Sequence, residues 1–268
     1  MSDIPSVPVT MVFAGTDPSG GAGLQADIET LVSLGVHPAA VVTAITVQDS
    51  QRLMRFEALD ATLVIEQARA VLEDMPIGAF KIGMLGSVEI VEAVHSLLMD
   101  YPDAPVVLDP LIRAGGGGEL ASDELIDAMV NLLFPLATVL TPNSDEARAF
   151  APEADNLDAC AQELLELGSE YVLITGSHEN TPYVENRLYS DHQLLETFTW
   201  ERLPHHYHGS GCTLASAIAG LLAQGLEPFH AIHEAQEYTW NALKYGQRIG
   251  MGQHIPNRLF WAQGGDEE

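Results

Sequence analysis

Positive charge is scarce in this sequence: 11 Lys and Arg stand against 38 Asp and Glu in 268 residues, a formal net charge of −27. Nucleic-acid binding needs clustered cations to neutralise phosphates, and the few here form no patch along the chain, so a DNA- or RNA-binding role is excluded. Cysteine is nearly absent. Cys160 and Cys212 are too few for a disulfide framework or a structural zinc site, which normally takes four ligands. No apolar run reaches the roughly eighteen residues of a bilayer span. The first basic residue is Arg52, so the start lacks the cationic region of a secretory signal. A soluble cytoplasmic protein with no membrane partner is expected. There is no G-x-x-x-x-G-K-[ST] and no protein-kinase catalytic loop, which excludes both of those nucleotide-enzyme classes. The acidity bears on solubility and habitat rather than on fold.

What is present is ample core material: 47% of residues are hydrophobic and 18% charged. Apolar runs at 8–14, 39–47, 79–85, 106–110, 138–141 and 171–175 read as strands. Segments at 24–34, 61–75, 88–100, 122–135 and 157–168 carry helical periodicity, with Ser122 as an N-cap. Strands that are continuously apolar and alternate with helices predict βαβ crossovers and a mainly parallel sheet covered on both faces. Segments 186–190 and 197–203 are close enough to form a hairpin at the sheet edge, before a last helical region. With no long linker and no solenoid repeat, residues 1–268 are expected to form one domain, loose at 1–7 and 264–268.

In an open parallel sheet ligands gather at the carboxyl ends of strands. The first such segment is GTDPSGGAGLQAD, Gly15 to Asp27, where glycines permit close backbone approach and a helix start offers free amides. It reads equally as a flexible turn. Gly21, Gly23 and Ala26 also satisfy G-x-G-x-x-A, and Asp49 follows the second strand where a ribose-binding acid would stand, so a nicotinamide dehydrogenase competes. Against it, TDPSG separates the strand end from Gly20 and Gly21, whereas that fingerprint puts its first glycine at the turn itself. The second segment is YHGSGCTLASAIAGLLAQG. Amides of Gly209, Ser210, Gly211 and Cys212 could cradle a transferring phosphate, and the helix dipole should depress the Cys212 thiol toward a usable general base. An inert buried cysteine is the plainer reading, and it suits Cys160 well. The third is TPNSDEA, where Asn143 and Glu146 offer oxygens to Mg²⁺ or form an ordinary capping box. Asp109 is similarly ambiguous between a metal-side acid and a strand-end turn. The glycine run 115–118 is a flap or a plain loop, and His205, His206 and His208 read as loop residues near an entrance.

Taken in order, AGTDPSGGAGLQAD, TAITVQD, KIGMLGS, VVLDP, LTPNSDEA, VLITGSH and YHGSGCTLASAIAG resemble the hydroxymethylpyrimidine/phosphomethylpyrimidine kinase family of thiamine biosynthesis, within the ribokinase-like superfamily. The resemblance spans nearly the whole chain. It implies a three-layer α/β/α fold around a mostly parallel sheet, a homodimer, and transfer of the γ-phosphoryl of ATP to a hydroxymethylpyrimidine and then to its monophosphate. Carried over residue by residue, it places Gly15, Asp27, Thr46, Gln48 and Met84 around the pyrimidine. Cys212 falls where sugar kinases of the superfamily carry an Asp base, with Gly209, Ser210 and Gly211 completing the anion hole. Asn143, Thr175, Gly176 and Arg113 fall on the nucleotide and phosphate side, and Asp109 and Glu146 on the magnesium. A carboxamide such as that of Gln48 matches an aminopyrimidine edge, donating to a ring nitrogen and accepting from the exocyclic amine. Two departures concern charge: many relatives carry a Lys before the glycines of the late strand and another after Asp-Pro, where this chain reads Thr175-Gly176-Ser177-His178 and Arg113-Ala114-Gly115-Gly116. Pyridoxal kinase and a catalytically silent pyrimidine- or nucleotide-binding module are the alternatives.

Overall fold

The computed structural model describes residues 7–113, 118 and 120–263. The ends and Gly115–Gly117 of the glycine run lie outside them. Strand β1 (Val9–Gly15) is buried at every position. Its alternation sends Val12 and Ala14 to one face, against Leu24 and Leu31 of helix α1 (Gly23–Ser33), and Met11 and Phe13 to the other. Strand β2 (His37–Gln48) runs parallel to β1, and the chain then turns back as β3 (Leu53–Ala58), an antiparallel edge strand absent from the sequence reading. Its residues, LMRFEA, have no strict alternation because only part of one face is covered.

After α2 (Ala61–Leu72) the chain lays down β4 (Ala79–Ile82), α3 (Val88–Leu98), β5 (Val106–Leu108), α4 (Asp123–Ala128), β6 (Val139–Leu140), α5 (Ser144–Phe150), α6 (Leu157–Glu166) and β7 (Tyr171–Ile174). A hairpin follows, β8 (Tyr183–Ser190) and β9 (Gln193–Glu201), and then α7 (Ser210–Ala223) and α8 (Pro228–Lys244). The hairpin is where the sequence put it, but its second strand starts earlier, because Asp191 and His192 take left-handed φ of 49° and 58° and close a tight turn. The helix expected over 122–135 starts at the Ser122 cap, then widens into a π-helical turn (Met129–Leu133) and tightens into a 3₁₀ turn at Pro135.

All nine strands form one sheet in the order β3-β2-β1-β4-β5-β6-β7-β8-β9. Strands β2, β1, β4, β5, β6 and β7 are parallel; β3, β8 and β9 are antiparallel at the two edges. Residues of α2, α3, α4 and α6 fill the core on one face, and α1, α7 and α8 cover the other, which makes the three layers. Strand order reverses between β1 and β4, so a crevice opens at their carboxyl ends. Among the described residues no helix is long and apolar enough to cross a membrane.

Candidate active site

A cavity of about 920 Å³ occupies that crevice. One wall is the start of α7. This helix is rich in Ala, Gly and Ser and buried nearly throughout, so it packs tightly on α1, with Gly220 against Leu31. Gly209, at its N-cap, has φ +84°, and a Cβ there would run into the Gly21 carbonyl oxygen. Only glycine lets the two loops meet so closely. No side chain caps this helix start and no acid lies in its first turn, so the residues that carry the leading amides line the cavity with the positive end of the dipole there unopposed by a side chain.

Beneath the cradle lies a buried ion network. Lys81 projects from β4 toward the α7 face, with its ammonium 3.0 and 3.1 Å from the two Asp27 oxygens, and Ser216 of α7 donates to Asp27 at 2.6 Å. Both charged side chains are wholly buried. Burial pulls the Lys81 ammonium down, but the charge of Asp27, backed by Cys212 and Asp109, holds it above the usual lysine range. Cys212 departs from expectation. Burial pushes its thiol up to about 12 against the opposing pull of Lys81, so desolvation outweighs the helix start and the free site holds a thiol. Asp109, just after β5, faces Gly211 and Cys212; burial pushes it up to about 6, again against Lys81, and its Oδ2 has no hydrogen-bond partner.

On the next loop Asn143 and Glu146 form a reciprocal capping box. Asn143 Oδ1 accepts from the Asp145 and Glu146 amides, and Glu146 Oε2 accepts from the Asn143 amide at 2.9 Å. The plainer reading of this pair is therefore realised, yet both residues also line the cavity. Burial and the charge of Asp109 push Glu146 up to about 8.

The glycine loop is organised by Asp17. Its Oδ1 accepts from the Ser19 amide and hydroxyl, and its Oδ2 from the Ala22 amide, each at 2.8 Å. Nε2 of His208 lies 2.8 Å from the same Oδ2. Burial would raise the Asp17 carboxyl, but His208 and Ser19 prevail and hold it below the usual range. His208 is thus a buried tie between the two glycine loops rather than an entrance residue, whereas His205 and His206 are exposed at the rim.

Residues 17–257 match the model of the phosphomethylpyrimidine kinase family. The chain belongs to this family. It is 37% identical over 250 residues to a hydroxymethylpyrimidine/phosphomethylpyrimidine kinase of Streptomyces coelicolor, covering 91% of this chain and 92% of that one. A thiamine biosynthesis bifunctional protein of Geobacter sulfurreducens is 34% identical over 94% of this chain and 52% of its own length. Among solved structures, the Bacillus subtilis pyridoxal kinase in its ADP complex superposes with a TM-score of 0.88 at 29% identity, covering 96% of this chain and 100% of that one.

Within this phosphomethylpyrimidine kinase fold, Gly15, Thr46, Gln48 and Met84 gather at one end of the cavity. Gly15 keeps this end open, since a Cβ would stand 3.1 Å from Met84 Sδ and push the thioether aside by a few tenths of an ångström. The Thr46 hydroxyl is already committed to the Thr16 carbonyl at 2.7 Å. Asp109, Arg113, Asn143, Glu146, Thr175 and the cradle from Gly209 to Cys212 share the same cavity. Two expected residues do not line it. Asp27 is sealed behind Lys81, and Gly176 is turned onto β8, where its amide donates to Asn186 Oδ1. The dehydrogenase reading fails locally as well: Gly21 and Gly23 serve loop packing, and Asp49 sits in a turn accepting from the Gln51 and Arg52 amides. Lys81 is a site residue that sequence reasoning passed over, and His208 one that it read only as an entrance loop residue. A lone lysine inside the apolar strand AFKI was the available signal for the first.

Proposed function

We propose that this chain transfers the γ-phosphoryl group of ATP to the hydroxymethyl oxygen of 4-amino-5-hydroxymethyl-2-methylpyrimidine, and then a second one to the resulting monophosphate, as a step of thiamine biosynthesis. The observation that carries this reading is the single cavity holding both the Gln48–Met84 end and the amide cradle of Gly209 to Cys212. Its first half matches an aminopyrimidine, its second a phosphate in transfer.

The donor set fits magnesium: Asp109 has an orphaned buried oxygen, and Asp109 and Glu146 both have raised pKa values that a cation would relieve. Among the described residues no cluster of three or more His, Cys, Asp or Glu side chains could hold a metal, so phosphate oxygens and water would complete the shell. Asp109 and Glu146 would hold Mg²⁺, which when bound offsets their charge and that of the phosphates. Gln48 and Met84 orient the ring so that its hydroxymethyl oxygen faces the cradle. The amides of Gly209 to Cys212 stabilise charge on the transferred group, and Asn143, Thr175 and Arg113 lie on the nucleotide side. Cys212, a thiol in the free site, first loses its own proton to water once the charge of Asp109 is offset, with Lys81 stabilising the sulfur anion, and the resulting thiolate then takes the hydroxymethyl proton. In the second transfer the acceptor phosphate, with a pKa of about 6, is already ionised.

The likeness to pyridoxal kinase supports a second reading, phosphorylation of pyridoxal in the same pocket. A coupled ADP-release assay with hydroxymethylpyrimidine, its monophosphate and pyridoxal as separate acceptors tests both. Turnover of the two pyrimidines is the expected result; turnover of pyridoxal alone would replace the first reading by the second. The resemblance also carries a homodimer in the cytoplasm, which light scattering of the purified protein checks in its oligomeric part.

A further inference from the structure

One buried cation lies behind the cavity wall and takes no direct part in the chemistry above. Arg258 stands one residue past the segment matched by the family and is 1% exposed. Its guanidinium is committed to the two loops that meet at the cradle. Nη1 donates to the Gly20 carbonyl at 3.2 Å and to the Glu29 carboxylate at 3.0 Å, Nη2 donates to the Gly21 carbonyl, and Nε donates to Thr213 Oγ1 at 3.0 Å. Thr213 passes the polarisation on: its hydroxyl donates to the Gly209 carbonyl at 2.8 Å, and its amide reaches the same oxygen at 3.0 Å.

The Gly209 carbonyl and the Ser210 N–H belong to one peptide group. Hydrogen bonds drawn to the carbonyl shift electron density onto oxygen and make the N–H a stronger donor, and a charged donor at the head of the chain strengthens each link. The Gly20 and Gly21 carbonyls are held by the same planar fork, which fixes the loop that packs against Gly209. The fork therefore supports the loop as well as the relay, and only the contact to Thr213 reaches the Gly209 carbonyl, so the Thr213 hydroxyl separates the two roles.

We propose that Arg258 is a positioning residue for phosphoryl transfer, acting through Thr213 to hold and polarise the Gly209–Ser210 peptide of the cradle. This rests on the cradle's role in the proposed reaction. Thr213→Val keeps the side-chain shape and removes the relay hydroxyl, while Thr213→Ser restores it. Rates of ADP release with hydroxymethylpyrimidine, measured well below each variant's melting temperature, should show Thr213→Val lowered roughly tenfold in kcat, a fraction of what deleting a whole oxyanion donor costs. Its KM for the pyrimidine should be unchanged, and Thr213→Ser should match the wild type. Arg258→Lys should lose a similar factor, and the double variant little more than either single one. A Thr213→Val protein with a lower melting temperature but wild-type kcat would overturn the proposal, as would a double variant showing the full product of the two losses. If Arg258→Lys does not fold, the Thr213 pair decides. Should the wild type phosphorylate neither pyrimidine, the functional reading fails separately, and calorimetric affinity for AMP-PCP, which carries the γ-phosphate that ADP lacks, then decides: weakened by Thr213→Val supports the relay, unchanged overturns it.

Discussion

Replacing Lys81 with methionine would leave the fully buried Asp27 carboxyl group without its cation and with only the Ser216 hydroxyl as a side-chain donor. Removing one partner of such a pair costs about 3–5 kcal/mol, because the remaining charge loses its compensation rather than because the pair itself is strong. For a chain of this size that lowers the melting temperature by roughly 10 °C. Adding Asp27→Asn removes the stranded charge while keeping an acceptor for Ser216, so the double variant should recover most of the lost stability. Activity should recover only in part. Lys81 opposes the burial that keeps Cys212 protonated, and one pKa unit on that thiol is about a tenfold change in the ionised fraction. First-step kcat at pH 7 should therefore fall by about tenfold or more in the single variant and by less in the double one, which also removes the Asp27 charge that raises the thiol. Urea melts of the three variants paired with the ADP-release assay give both numbers. A single variant as stable as the wild type, or a double variant with full first-step kcat, would refute the reasoning.

Cys212→Ala should impair the first phosphorylation far more than the second, because a phosphate acceptor with a pKa of about 6 needs little help in losing its proton; equal losses in separate assays of the two acceptors would remove Cys212 from the base role. Asp109 and Glu146 hold protons in the fold that the unfolded chain has already released, so stability of the free protein should fall as pH rises from about 4.5 toward about 8. Glu146→Gln should flatten the upper part of that slope in thermal melts, and added Mg²⁺ should raise the melting temperature more at pH 8 than at pH 6. Gly209→Ala forces a Cβ into the Gly21 carbonyl at a left-handed φ, which should cost on the order of 2 kcal/mol and abolish detectable transfer; a stable, active variant would mean the two loops part easily.

The alternation of apolar strands and helices made the layered sheet readable, because strands buried on both faces leave an unbroken hydrophobic signature. Strand β3 left no such trace, being an edge with one face partly exposed. Residues of the cavity that lie at strand ends or just after them, such as Gly15, Asp109 and Thr175, could be named from position alone. Asp27 was misplaced because it follows a motif in sequence but sits on the inward side of α1, where Lys81 claims it. Partnerships across the chain left no local signal: Asp17 and His208 are 191 residues apart, and Arg258 is 237 from Gly21. The thiol of Cys212 was misjudged for a related reason. A helix start is visible in sequence, but the depth to which the fold buries it is not, and depth outweighs the dipole here.

Helix α7 is enclosed along nearly its whole length and packed at its leading end on the opposite loop, so the platform proposed to receive phosphorus is held at both ends. An acceptor that has gained one phosphate is longer than the alcohol it came from. With that anchor held, the proposed reaction requires the heterocycle to sit further back in the second turnover than in the first, and the flexible thioether of Met84 is the lining side chain we propose to yield.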